Sequence, residues 1–331
     1  MKKEVFFHCF IVLFFCNCHA QTHVDHNSFK PVASISLPDV SGRIDHLSFD
    51  SARQIIFVAA LGNNTVEAID LKKRKAVYSL KNLHEPQGIA FIPQSNLLFV
   101  ANGDNGECDA FNAATFQKTS TIKLSGDADN VRYDEISKRI YVGYGDGGMA
   151  VIDAGSFKLL NDIKLDAHPE SFQIDRTANK IYVNVPDKKE IEIIDLEKNV
   201  VISKWKMTEA SSNFPMALDS SNHRLFIGCR HPAKLLVTDT QTGKIIFVLN
   251  IDDDTDDIFY DGHNKKIYVS CGSGDVDIFK QKDANTYVVD EKISTRPGAR
   301  TSFFLPELNQ LVVAAPAHPG EGAMLLIYNL E

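Results

Sequence analysis

The chain has 331 residues, a formal net charge of −8 and 44% hydrophobic residues, a composition that suits one large globular domain. That acidity argues against a reader of nucleic acid, whose phosphates demand clustered positive charge. The length would also allow two domains, but no Pro/Gly/Ser-rich linker or shift in composition divides the chain.

Residues 1–20 open with Lys2 and Lys3, run through the largely apolar Val5–Phe15 and end in Cys18-His19-Ala20 before Gln21. This is the layout of a cleavable export signal. The apolar run is too short to span a bilayer, which takes about 20 such residues, and no later segment reaches that length. A soluble periplasmic or secreted protein is expected. A lipid anchor on Cys16 or Cys18 is the alternative, but Phe15 and Asn17 precede those cysteines where lipid attachment wants small residues. Cleavage after Ala20 moves the charge from −8 to −9 and leaves Cys108, Cys229 and Cys271, an odd number that cannot all pair internally. Cys229 and Cys271 hold matching places in adjacent repeats, too far apart for a disulfide, and are read as small buried thiols. Residues 21–31 are polar and are expected to form a short mobile lead-in to a single domain over 32–331.

From Val32 onward the chain repeats. An apolar run with an aromatic or branched centre returns at Phe57, Phe99, Tyr141, Tyr182, Phe226, Tyr268 and Val312, at steps of 42, 42, 41, 44, 42 and 44 residues. Eight residues before each centre stands another apolar residue, from Phe49 and Phe91 through to Phe304. Two strands therefore flank a tight turn of small and amide residues, such as Gln94-Ser95-Asn96. A third strand ending in pairs such as Ile69-Asp70 and Ile194-Asp195, and a fourth such as Thr119–Leu124, complete a unit of about 40–45 residues, the length of a propeller blade. Seven units predict an all-β, seven-bladed propeller of four-stranded antiparallel blades. The last unit has only three strands of its own, and Val32–Leu37 stands alone before the first. Ring closure is expected through that N-terminal strand joining the C-terminal blade, which leaves only protected edges.

The Phe-Val-Ala, Tyr-Val-Gly, Tyr-Val-Asn and Tyr-Val-Ser strands, each followed by a turn and an Ile-Asp type of strand, resemble the YVTN-repeat propellers of the YncE-like group over residues 32–331. Val312 departs from the usual aromatic, and no copy reads Tyr-Val-Thr-Asn in full. The resemblance implies a periplasmic binding or scaffold protein, in an architecture that also serves haem carriers and enzymes.

Repeat register assigns each loop to one of two faces. Turns after the first and third strands carry Lys72-Lys73-Arg74-Lys75, Lys138-Arg139 and Lys265-Lys266, a basic face read as solvated surface. The other loops carry Asp39, Glu85, Asp104, Asp127 and the run Asp252-Asp253-Asp254, an acidic face. At the mouths of the innermost strands, twelve and eleven positions before each centre, the residues differ from blade to blade: Asp45-His46, Gln87-Gly88, Asp129-Asn130, Glu170-Ser171, Phe214-Pro215, Asp256-Asp257 and Arg300-Thr301. A structural repeat would reuse one residue, so this ring is the candidate site, with His84, Tyr144, His168, Asn184, Arg230, His231 and His318 on nearby loops. Neighbours on a strand point to opposite faces, which predicts that at most about half of these side chains reach a common ligand.

Carboxylates converging on one axis repel unless a cation, a proton or an arginine intervenes. Mixed Asp, Asn and Glu oxygens suit Ca²⁺ or Mg²⁺; imidazoles would suit Zn²⁺ or haem; a structural ring bridged by water is the remaining reading. Asn130, Glu170 and Asp257 are the candidate metal ligands, His46 and His168 the candidate bases, and Gln87, Asp129, Tyr144, Asn184, Arg230, Asp256 and Arg300 the candidate ligand-binding groups. Two local motifs fail on context. Gly143–Gly148 matches a dinucleotide pattern but opens no helix, and Asp252, Asp254 and Asp256 imitate a calcium loop that lacks its Gly and Glu. Two functions follow: an exported binding or scaffold protein, monomeric, with a small ligand, cofactor or metal and room for a protein partner; or a metal-dependent lactonase or lyase in which Arg230 and Arg300 clamp a small, sugar-acid-like anion.

Overall fold

The computed structural model describes residues 30–330; the export signal and most of the lead-in lie outside them. Seven four-stranded antiparallel sheets stand round one axis. Their innermost strands are Leu47–Asp50, Pro86–Ile92, Ala128–Asp134, Phe172–Asp175, Ser211–Asp219, Thr255–Asp261 and Thr301–Leu305, and these define blades 1 to 7. Ala33–Leu37 pairs antiparallel with Ala323–Asn329 as the outer strand of blade 7, from Ala33 opposite Ile327 to Leu37 opposite Ala323. The ring closes as expected.

Each repeat centre is buried, with Phe57, Phe99, Tyr141, Tyr182, Phe226 and Val312 fully enclosed. These centres belong to seven separate apolar clusters, each formed between two blades. Phe57 lies with Leu98 and Val100 of blade 2, Tyr141 with Phe172 and Ile181 of blade 4, and Val312 with Ile56 and Val58 of blade 1. A ring buried this way contributes about 2–3 kcal/mol, so the 42-residue spacing reports one anchor per interface.

The turn before each second strand is equally regular. Gln54, Asn96, Lys138, Asn179, His223, Lys265 and Asn309, each three residues before a centre, all take left-handed φ between 51° and 57°. Asp50, Asp134, Asp175, Asp219 and Asp261 end the inner strands there and accept backbone N–H groups from the turn. This is turn capping. Cys108, Cys229 and Cys271 are buried and unpaired, as expected. The glycine-rich Gly143–Gly148 segment is a hairpin between Arg139–Tyr144 and Gly148–Asp153.

Candidate functional site

At their entry to the axis the inner strands bulge. Blade 2 pairs Pro86 with Asn102 and then Ile89 with Val100, so Gln87 and Gly88 face a single residue; blade 3 does the same at Asp129-Asn130 and blade 5 at Phe214-Pro215. In blade 4 the Glu170 N–H donates to the Asn184 carbonyl and the Asn184 N–H to the Ser171 carbonyl. A bulge breaks the alternation of side chains and re-aims them. Both members of three pairs therefore border one space: Asp45 with His46, Asp129 with Asn130 and Glu170 with Ser171 line one polar chamber of about 20 Å³, alongside Arg43, Phe214 and Asp256. Gly88 makes room for this, because a Cβ there would stand 1.7 Å from the Asp129 carbonyl oxygen.

Asp129, His168 and Glu170 offer ligand atoms that all lie within 4.8 Å of one another. His168 Nδ1 lies 2.7 Å from the carbonyl oxygen of Gly145. A carbonyl only accepts, so Nδ1 carries a proton, and this bond fixes the ring with Nε2 facing Asp129, 4.0 Å away. Gly145 supplies that carbonyl from a left-handed turn at φ 57°, which glycine adopts without penalty.

The charges here are not balanced. Burial, followed by repulsion from Asp129, Asp256 and Asp45, pushes Glu170 well above the usual carboxylate range although His168 opposes it. Burial would lower His168, but Asp129, the Gly145 carbonyl, Asp127 and Glu170 lift it to about 9. His46, also opposed by burial, is lifted to about 10 by Asp257, Asp45 and Asp129; its ring forms a floor, with Nδ1 3.7 Å from Asp257 and Nε2 3.9 Å from both Asp45 and Asp129. Burial raises Asp45 against His46 and the Arg43 guanidinium, which donates to it at 2.9 Å.

Several nominated residues stand elsewhere, each for a physical reason. Asn130 lines the chamber with its Oδ1 unpartnered, yet lies outside the trio. Asp257 points to the other side of His46, where it accepts the Ser302 N–H at 2.8 Å. Gln87 turns out to Asp127. Tyr144 is drawn into its own blade, donating to Asp162 at 2.8 Å, and Asn184 is fully buried, donating to the Phe214 carbonyl at 2.9 Å and so holding the blade 5 bulge. Arg230 and Arg300 are occupied: Arg230 donates to Asp256 at 2.7 Å and stacks on Phe214, while Arg300 donates twice to Asp254. Asp256 still rises to about 6, because burial and Asp45 outweigh both arginines. His84, His231 and His318 hydrogen-bond or pair at the rim, with Asp104, Ser212 and the Pro297 carbonyl. The calcium-loop imitation is dispersed, since Asp252 accepts from Lys292 and Asp254 from Arg300.

Sequence reasoning missed Arg43, two residues before Asp45, and Arg132, three after Asp129; both were visible as the charges flanking the variable pairs. A second group, Asp166, Glu190 and Glu192, also clusters. Lys204 and Lys206 pair with all three carboxylates, and Glu192 has counterparts in Glu67 with Ser79 and Asp109 with Lys118, so it is a device of the blades.

No protein-family model and no curated protein matches the chain. Among solved structures it is similar to Kuenenia stuttgartiensis hydrazine synthase, with a TM-score of 0.76 and 15% identity over 94% of this chain and 99% of that one. It is similar also to a chain of a mitotic checkpoint complex, with a TM-score of 0.76 and 12% identity over 98% and 99%. These likenesses bear on the propeller fold alone. Among the described residues no helix is long and apolar enough to cross a membrane.

Proposed function

We propose that this propeller is an exported binding protein that holds a divalent metal ion, with or without a small ligand, at Asp129, His168 and Glu170. The observation that carries the reading is the trio itself: three ligand atoms within 4.8 Å of one another, in a chamber whose carboxylates are repelling and whose imidazole is oriented by the Gly145 carbonyl. A cation there would relieve the repulsion and would replace the protons that Glu170 and His168 otherwise retain. One imidazole and two carboxylates suit Zn²⁺ or Mn²⁺ better than the Ca²⁺ or Mg²⁺ expected from oxygen ligands alone. The leader over 1–20 and the YncE-like repeats support periplasmic or secreted location and a binding or scaffold role for the mature domain, with a short lead-in over 21–31. The same reading takes the protein as a monomer that does not bind nucleic acid and leaves the outer blade surfaces for a protein partner.

The lactonase or lyase alternative loses its clamps, because Arg230 and Arg300 already neutralise Asp254 and Asp256. The test is thermal melting with and without Zn²⁺, Mn²⁺, Ca²⁺ and Mg²⁺. At least one ion should raise the midpoint by mass action on the native state. Glu170→Gln should abolish that rise while melting no lower than the parent without metal. No response to any of the four ions, or an equal response in the variant, would refute the assignment.

A further inference from the structure

Beneath the floor made by His46 the axial channel widens into a cavity of about 500 Å³ lined by inner strands of all seven blades. Its walls mix aromatic rings, among them Phe49, Phe91, Phe259 and Phe303, with polar side chains such as Ser48, Gln173 and Ser302; Phe259 and Phe303 are in edge contact at 5.8 Å. Three charged residues line it: His46, Asp257 and Arg132. Asp257 is committed to the Ser302 N–H and to the floor imidazole. Arg132 is not committed to any anion. Its guanidinium donates to the Val131 carbonyl at 2.9 Å and to the Ser171 hydroxyl at 3.2 Å and lies over the Phe172 ring at 5.5 Å, and among the described residues it forms no ion pair. A partly buried guanidinium without a counterion is open to an anion, and burial presses its pKa down although Asp257 and Asp129 act to raise it.

We infer that this cavity is a second binding site, separate from the cation site, for a small organic anion with a flat apolar body, whose charged end pairs with Arg132 and whose body lies among Phe49, Phe91, Phe259 and Phe303. The volume is within the range of small-molecule sites, about 300–1,000 Å³. Aromatic walls with one convergent cation are the chemistry of an aromatic carboxylate site. Gln173 and Ser48 contribute through spare donors: Gln173 gives one amide N–H to the Met216 carbonyl, leaving the second, and Ser48 Oγ accepts the Phe91 N–H, leaving its own hydroxyl proton to donate.

The experiment is calorimetric titration of the protein with 2-naphthoate and with its neutral isostere 2-naphthamide. Naphthoate should bind one per chain, at least tenfold more tightly than the amide. Arg132→Met should remove that preference, Arg132→Lys should keep part of it, and Phe303→Ala should weaken both probes. Glu170→Gln should leave both unchanged, which separates this site from the cation site. Absence of saturable naphthoate binding, equal affinity for the two probes in the parent chain, or a preference that survives Arg132→Met would overturn the proposal. Should Arg132→Met fail to fold by circular dichroism, the parent comparison and Arg132→Lys decide it, with undiminished preference in the lysine variant counting against Arg132.

Discussion

Two charged clusters share the mouth of the axial channel and differ in whether they close on themselves. On the side of blades 5 to 7, Arg230 and Arg300 meet Asp254 and Asp256, two cations on two anions. On the side of blades 3 and 4, Asp129, His168 and Glu170 meet with Asp127 close by, and the local charge is left to protons. Both were equally prominent in the sequence as non-repeating residues at strand mouths. The difference shows that departure from a repeat marks where a blade is used for something else, while the charge balance reached in space separates a structural brace from a site.

The largest expected effect tests the closed cluster. Arg300→Ala leaves Asp254 and Asp256 to share Arg230 alone in a partly buried setting, and denaturant melts should show a loss of about 2 kcal/mol, with metal-induced stabilisation intact. A loss below about 0.5 kcal/mol, the range of ordinary surface changes, would place Arg300 back among residues free to bind.

Next comes the response of the fold to alkali. His46 is lifted from 6.5 in the unfolded chain to about 10, so its contribution is complete below pH 6.5 and is lost as pH rises from there through about 10. Stability should fall across that window, and His46→Phe should flatten the slope; a parent curve already flat from pH 7 to 10 would contradict the floor geometry.

A smaller effect separates the open cluster by its proton competition. Cation binding needs His168 neutral and Glu170 ionised, so affinity should weaken as pH falls below about 9, by at most about tenfold, or 1.4 kcal/mol, per unit for the His168 proton. Calorimetry at pH 6, 7 and 8 would show it, and pH-independent affinity would mean that the ion sits elsewhere. Smallest is Tyr144→Phe, which removes only the hydrogen bond to Asp162. It should cost about 1 kcal/mol and leave metal response unchanged, whereas a lost response would restore Tyr144 to the site.

Sequence alone determined the blade count, the ring closure and the burial of the repeat centres, because each depends on spacing: one aromatic or branched residue per interface, one tight turn before it, and one spare strand at the start for a last unit that is one strand short. It also located the ring of variable residues at the strand mouths. Tertiary structure decided which of them meet. The bulges at Gln87-Gly88, Asp129-Asn130 and Phe214-Pro215 cancel the two-residue alternation on which any count of inward side chains depends, and they bring Asp129 to His168 and Glu170 across a blade boundary. Whether an arginine is free, as Arg132 is, or spent, as Arg230 and Arg300 are, likewise turns on carboxylates more than twenty residues away or on their absence. Those distances are set by how the sheets pack round the axis, and no local pattern encodes them.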